Sequence, residues 1–580
     1  MNRSYLNALT LLIAAAHTPV CMVADEVDMS RTGYSRPGRF PHQSRSVVIA
    51  QNGMVAASQP LAAQAGLDVL KRGGNAVDAA IAANAVLCVV EPMSCGIGGD
   101  LFAIVWNNTE KKLYGLNASG RSPYAINRKV FEQRGLKQIP TEGPLGWSVP
   151  GCVAGWDDLR KRFGTMPFAK MLAPAIDYSE NGFPVSEIIA NSWRGAEKSL
   201  SRWPDSAKTY LIDGRAPREG DIFRNPHFAR SLQAIAKDGR DAFYKGPIAE
   251  TIVSFSESNG GFFSLRDFAD HKSLWVEPVS TNYRGYDVWE LPPNGQGIAA
   301  LQMLNLLEPY DLRAMGPGSA DYLHLFVEAK KLAFADRARF YADPTVQFLP
   351  TAELISKPYA EKRGKLIDTN RAAGDVTAGD PILQKGDTIY LTVVDKDRNC
   401  CSLIQSTYYG FGSQVVPGDV GFALQNRGAL FALDDEHLNR LEPHKLPFHT
   451  IIPAMVTRDD QPVFTFGVMG GDMQPQGHVQ VLVNLIDFGM NVQQAGDFAR
   501  ARHFGSGTPT GSAAAGGGTV SLEPGINKLV RETLRQRGHR VEVAGDGGSF
   551  GGYQGIWIDW GKGTLHGATE ARKDGCAVGY

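Results

Sequence analysis

Several residue groups in this sequence have the types from which active sites are built. Gly547-Gly548-Ser549-Phe550-Gly551 spells G-x-S-x-G, the nucleophile elbow, which needs a strand before its serine and a helix after it. Here residues 553–560 read as a strand and His566 is the sole histidine that follows, so the segment reads as a tight glycine turn. His437, His444 and His449 are seven and five residues apart, which fits neither a helical H-x-x-x-H pair nor a zinc-finger spacing, and no metal is expected. Gly96-Ile97-Gly98-Gly99 follows a helical pattern and lacks the third glycine of a dinucleotide fingerprint, so no cofactor is expected either. The seven cysteines include no C-x-x-C and read as buried thiols. Thr388, in Asp387-Thr388-Ile389-Tyr390, suits a strand by its β-branched shape; taken singly it reads as structural.

The elements that would position these groups follow from hydrophobic period and end signals. Residues 47–50 and 54–57 read as short strands around a turn at Gln51-Asn52-Gly53. Ser58 is the expected cap of a helix ending at Gly73-Gly74, and Asn75 that of an Ala-rich helix over 76–90, stopped by Pro92. A strand is expected at 101–106. The 322–341 segment is a helix by its apolar spacing, with Glu328, Lys330 and Lys331 left to face solvent. Residues 388–394 and 401–406 form a hairpin across the turn at 395–399. Residues 505–518 are a Gly/Ser/Ala/Thr loop, followed by a helix starting near Pro524. Strands and helices come in groups, which favours layered sheets covered by helices over a doubly wound parallel sheet.

At 580 residues, 43% hydrophobic and 21% charged, the chain is globular with a large core. Its 59 basic and 60 acidic residues leave a net charge of -1, so no global field draws it to nucleic acid or an anionic membrane, and a small-molecule partner is expected. Residues 1–24 read as a secretory signal, with Arg3 ahead of an apolar run, which implies a secreted or periplasmic protein; without such a signal the protein would be cytoplasmic. No other stretch is apolar for the roughly 18 residues a membrane span requires.

Combined motifs change the reading of Thr388. Gly73-Gly74-Asn75-Ala76-Val77-Asp78-Ala79-Ala80, Glu91-Pro92-Met93-Ser94-Cys95-Gly96-Ile97-Gly98-Gly99, Val149-Pro150-Gly151 with Gly155, Glu328-Ala329 and Ala335-Asp336-Arg337, Gly386-Asp387-Thr388, Gly470-Gly471 and Asp574-Gly575-Cys576-Ala577 occur in order from about residue 46 onward. Together they resemble the γ-glutamyltranspeptidase family. The resemblance implies an α+β fold, the four-layer αββα sandwich of N-terminal nucleophile hydrolases. It also implies a proenzyme that cuts itself between Asp387 and Thr388. A large subunit of residues 25–387 and a small one of 388–580, about 40 and 21 kDa, would remain together. The chemistry is coherent: the Thr388 hydroxyl attacks the Asp387 carbonyl, water completes the break, and the freed α-amine, ordinarily near pKa 8, becomes the base for its own hydroxyl. Gly470 and Gly471 match the family's oxyanion glycines, and Ser406 falls where a hydroxyl orients the nucleophile.

The pocket departs from the transpeptidases, where an arginine and two serines hold the substrate's α-carboxylate and acidic and amide groups hold its ammonium. His449-Thr450 replace the serine pair, Leu430, Arg427 and Tyr408 stand at the acidic and amide positions, and the arginine is displaced to Arg121. Arg427 and Arg121 could together fork onto a carboxylate, whereas an ammonium would lack a counter-ion. Asn426-Arg427-Gly428, Phe448-His449-Thr450 and residues 469–476 resemble the branch with cephalosporin-acylase-like and oxamate-amidohydrolase-like members. The expected activity is hydrolysis, or transfer, of γ-glutamyl or similar carboxyl-bearing acyl groups from amides such as glutathione. The alternatives are an acylase for a specialised amide and a non-catalytic binding scaffold.

Overall fold

The computed structural model describes residues 43–376, 387–511, 514, 516–545 and 550–580. The signal expected at 1–24, Gly386 and Ser549 lie outside the described residues.

Two antiparallel seven-stranded sheets carry the fold. The first runs Cys576–Gly579, Met54–Ala57, Asp387–Val394, Cys400–Tyr408, Asp100–Asn107, Lys112–Ala118, Leu274–Val276. The second runs Val48–Ala50, Thr564–Thr569, Tyr553–Asp559, Gln461–Val468, Ala454–Arg458, Tyr286–Glu290, Val279–Tyr283. Side chains alternate across a strand, and that period sorts the layers. Ile389, Leu391 and Val393 join the apolar cluster of the helices Pro60–Lys71, Ala76–Val90, Cys152–Phe163 and Phe168–Asn181. Tyr390 and Val394 instead fill the space between the sheets with Phe102, Ile404, Met455 and Ile556. Thr392 bonds across that space to Thr465, Oγ1 to Oγ1, at 2.8 Å. The helices Gly297–Leu307 and Met473–Ile486 cover the second sheet, which completes helix, sheet, sheet, helix. This α+β sandwich is the expected fold.

As the sequence predicts, Asn75 caps Ala76–Val90; the structure adds a capping box shared with Asp78, and all fifteen residues of this Ala-rich helix are buried. Other details differ from expectation. The cap of Pro60–Lys71 is Gln59, whose Oε1 accepts from Leu61 N at 2.6 Å, while the Ser58 hydroxyl donates to Glu91 at 2.6 Å. Residues 47–57 do form two strands, but these belong to opposite sheets, so the intervening turn is a crossing between layers. Glu328, Lys330 and Lys331 do not face solvent. Their helix, Ala320–Phe340, packs against Gly297–Leu307 on one side and against the helix Lys528–Gln536 and the strand Ala501–Phe504 elsewhere, which leaves these residues no open face. Lys331 pairs with Glu328 at 2.8 Å and donates to Ala373 O at 2.7 Å, and Lys330 donates to Ser506 Oγ at 2.8 Å.

Met54–Ala57 lies between Cys576–Gly579 and Asp387–Val394 and hydrogen-bonds to both. The carbonyl of Tyr580, the last residue, accepts from the amides of Gln51 and Asn52.

Candidate active site

Thr388 is the second residue of Asp387–Val394, and its parity puts it on the inter-sheet face with Tyr390 and Thr392. Ser406 shares that face of the neighbouring strand with Ile404. The ladder slips here: Asp387 opposes Tyr408 and Ile389 opposes Gln405, so the second strand carries one extra residue. Such a bulge re-aims the side chains beside it. Tyr408 sits in the left-handed region at φ 84°, and its amide donates to Ser406 Oγ at 2.8 Å. Thr388 is 2% exposed, and its hydroxyl donates to Ser406 Oγ at 3.3 Å and accepts from Gln474 Nε2 at 3.4 Å. Contacts of this length tighten once substrate is bound.

Gly470 and Gly471 turn the chain from Gln461–Val468 into the helix Met473–Ile486 with φ of 109° and 58°, a conformation that favours glycine. Their carbonyls are engaged: Gly470 O accepts from Met473 N, and Gly471 O from Gln474 N and from Gln296 Nε2 at 2.9 Å. Neither glycine N–H has an acceptor among the described residues. The turn is braced from behind. Arg337, 0% exposed, donates to Gln296 Oε1 and to Asp472 Oδ1, both at 2.6 Å. Burial opposes ionisation of Asp472, but the Arg337 guanidinium, backed by Lys330 and Arg502, holds its carboxyl below the ordinary range. The structure thus offers two adjacent amide donors at a helix N-terminus, an arrangement suited to a developing oxyanion.

Arg427 is also 0% exposed, but its surroundings are different. Its Nη1 donates to Thr450 Oγ1 at 2.6 Å and its guanidinium lies over the Tyr408 ring at 4.6 Å, while Nε and Nη2 have no partner among the described residues. Burial lowers its pKa to about 10, opposed by the field of Asp100. Asp100 is itself buried and pushed up to about 7, with Arg427, Gln425 and the amides of Gly120 and Gly151 pulling the other way. His449 Nδ1 accepts from Ile451 N, so Nε2 carries the proton and donates to Asp100 Oδ2 at 3.1 Å. Burial, then Arg427, keeps this imidazole neutral. Thr450, Arg427 and Tyr408 are therefore brought together, with His449 behind them on Asp100.

Arg121 is committed elsewhere. It pairs with Asp343 at 3.0 Å and donates to His444 O and Thr345 Oγ1, so the two arginines do not offer a common fork. Gly96-Ile97-Gly98-Gly99 is a close-packed turn: a Cβ on Gly98 would lie 2.2 Å from Ala423 O, and one on Gly99 2.3 Å from Ser406 O. His324, Glu328 and His539 converge closely enough to suggest a metal site. Their groups are already engaged, His324 with His539 at 2.8 Å and with Asp368 O at 2.7 Å, and Glu328 with Lys331 and the Ala373 amide, and the Lys331 ammonium opposes a further cation. Sequence reading missed Gln296, Asp472, Gln474 and Asp100 as parts of this site. Residues 469–476 drew attention as a motif, but nothing local says which of their side chains reaches a strand about 86 positions away.

The sandwich and its layer order define an N-terminal nucleophile hydrolase fold. Residues 62–580 match the Gamma-glutamyltranspeptidase family. The chain is 39% identical over 537 residues to the glutathione hydrolase-like YwrD proenzyme of Bacillus subtilis, covering 92% of this chain and 99% of that one. It is 34% identical to the oxamate amidohydrolase proenzyme of Klebsiella pneumoniae, covering 92% and 99%. The crystal structure of a cephalosporin acylase from Bacillus halodurans superposes with a TM-score of 0.86 at 42% identity, covering 95% of this chain and 98% of that one. The chain belongs to the gamma-glutamyltranspeptidase family, and it is an amidohydrolase of the proenzyme type. Among the described residues no helix is long and apolar enough to cross a membrane.

Proposed function

We propose that this proenzyme matures by cutting the Asp387–Thr388 bond and then hydrolyses amides of small acyl groups that carry a carboxylate of their own. One observation carries the reading: a buried threonine hydroxyl at a bulged strand end, hydrogen-bonded to Ser406, in a fold whose glycine turn presents two amide donors without an acceptor among the described residues. Residues 1–24 are the export signal, 25–387 the large subunit and 388–580 the small one. Once the α-amine of Thr388 is free, it takes the hydroxyl proton, Oγ1 attacks the substrate carbonyl, and Gly470 and Gly471 receive the charge on its oxygen. The same amine then returns a proton to the leaving amine, and water releases the acid.

Arg427 anchors the acyl carboxylate, with Thr450 and Tyr408 fixing its plane. A guanidinium with two donor groups to spare, sealed from water, is suited to a bidentate carboxylate. This favours the acylase-like and oxamate-like reading over recognition of a free α-ammonium, although a γ-glutamyl amide such as glutathione also presents a carboxylate. The test pairs N-terminal sequencing of the smaller band with turnover of a γ-glutamyl anilide and its desamino glutaryl analogue. Threonine at the new terminus and equal or better use of the glutaryl compound are expected. A Thr388→Ala chain that still matures and hydrolyses both would sink the proposal.

A further inference from the structure

We infer that Gln474 is a catalytic residue, a fixed hydrogen-bond donor to the Thr388 oxygen whenever that oxygen is a leaving group. The inference rests on the reading of Thr388 as nucleophile and adds to it a residue from the second sheet's helix.

The geometry sets the direction of the bond. Gln474 is 0% exposed and stands in the first turn of Met473–Ile486, three residues after Gly471. Its Oε1 accepts from the Ile452 amide at 2.9 Å. Since that oxygen faces a backbone N–H, the group facing Thr388 Oγ1 at 3.4 Å is the NH₂, which can only donate. Ser406 Oγ accepts from the same hydroxyl at 3.3 Å. Thr388 Oγ1 therefore has one neighbour that accepts its proton and one that donates to a lone pair. One helix start supplies both the glycine amides for the carbonyl oxygen and the side-chain amide for the oxygen attached to Thr388.

The chemistry assigns the donor its step. In maturation the Oγ1–carbon bond forms as the Asp387–Thr388 carbon–nitrogen bond breaks, and the hydroxyl proton ends on the freed nitrogen. Water then attacks the ester, the Oγ1–carbon bond breaks, and the proton from water returns to Oγ1. In turnover the acyl ester on Oγ1 is cleaved by water in the same way. A donor aimed at Oγ1 gives little help while that oxygen attacks, since it draws electron density from the nucleophile. It helps when Oγ1 departs carrying negative charge, as an oxyanion-hole donor helps at the carbonyl oxygen.

Loss of the donor therefore slows ester hydrolysis more than ester formation. Gln474→Glu tests this with the fold kept intact, because one carboxylate oxygen still accepts from Ile452 N while the other faces Thr388 as an acceptor. Gln474→Met removes both interactions. In each variant an ester on Thr388 should accumulate, detected by mass spectrometry after denaturation and as hydroxylamine-releasable material. With the parent's maturing precursor and its glutaryl anilide as references, ester hydrolysis should slow at least about tenfold and a burst of released aniline should precede a slow steady state. The fraction of cleavable chains held as ester does not depend on how much of a variant folds. If Gln474→Glu hydrolyses the ester within threefold of the parent while Gln474→Met does not, only the contact to Ile452 matters and the inference fails. If the parent itself never carries an ester on Thr388, the reading of the nucleophile fails and takes this inference with it.

Discussion

Arg337 and Arg427 are both sealed from solvent, and each lies within one hydrogen-bonded step of the other's network, through Gln296 to the Thr450 carbonyl. Their partners differ. Arg337 meets a carboxylate with both terminal nitrogens and braces the turn of Gly470 and Gly471 through Gln296. Arg427 meets a single hydroxyl and an aromatic face, and two of its nitrogens have no partner among the described residues. Arg337 has its counter-ion in hydrogen-bond contact, whereas Arg427 feels the field of Asp100 but bonds no carboxylate among the described residues, and under the proposed function the substrate brings one.

The largest expected effect comes from the braced side. Arg337→Leu strands Asp472 without its partner and should cost about 3–5 kcal/mol of stability, read as a lower urea midpoint at constant m-value. On the other side, Arg427→Leu should change the unfolding free energy read from urea titration by no more than about 1 kcal/mol, because Arg427 makes one side-chain hydrogen bond and bonds no carboxylate among the described residues. The same change should lower kcat/KM for the glutaryl anilide about 100-fold, the worth of two charge-assisted hydrogen bonds, and much less for an acetyl anilide. Equal losses on both substrates would mean that Arg427 serves the fold as Arg337 does.

A third effect is smaller and depends on pH. Burial raises Asp100 to about 7, whereas the unfolded chain ionises near 3.9, so between those values the folded state holds the extra proton. Stability from this group is therefore full below pH 4 and declines as pH rises to about 7. Asp100→Asn should flatten that decline in melting temperatures taken across pH 4 to 8. Smallest of all is Arg121→Lys, which should change KM for the glutaryl anilide less than about threefold, since Arg121 is spent on Asp343. A large rise in KM would return Arg121 to the pocket.

Much of the fold was legible because it rests on local signals. Asn75 caps the Ala-rich run that follows it, and the hairpin of Asp387–Val394 and Cys400–Tyr408 shows in its period and its turn. Surfaces formed by distant partners were not legible. Nothing near Lys330 and Lys331 announces that their helix is enclosed on several sides, and nothing between residues 47 and 57 says that two adjacent strands enter different sheets. At the site, Thr388, Gly470 and Gly471 stand in the ordered motifs and Ser406 where the resemblance places a hydroxyl, and the structure brings Thr388 and Ser406 into contact. The commitment of Arg121 to Asp343 and the reach of Gln474 to Thr388 depend on side-chain directions that sequence spacing does not carry.

The placement of Met54–Ala57 has a mechanical result for the mature enzyme. After the cut, this strand would belong to one polypeptide while its two hydrogen-bonded flanks, residues 388–394 and Cys576–Gly579, would belong to the other. Releasing either product means tearing two ladders from a buried strand, which is unfolding and not dissociation. Dilution alone should leave the pair intact, and deleting the last five residues should weaken the seam without touching any group that handles substrate.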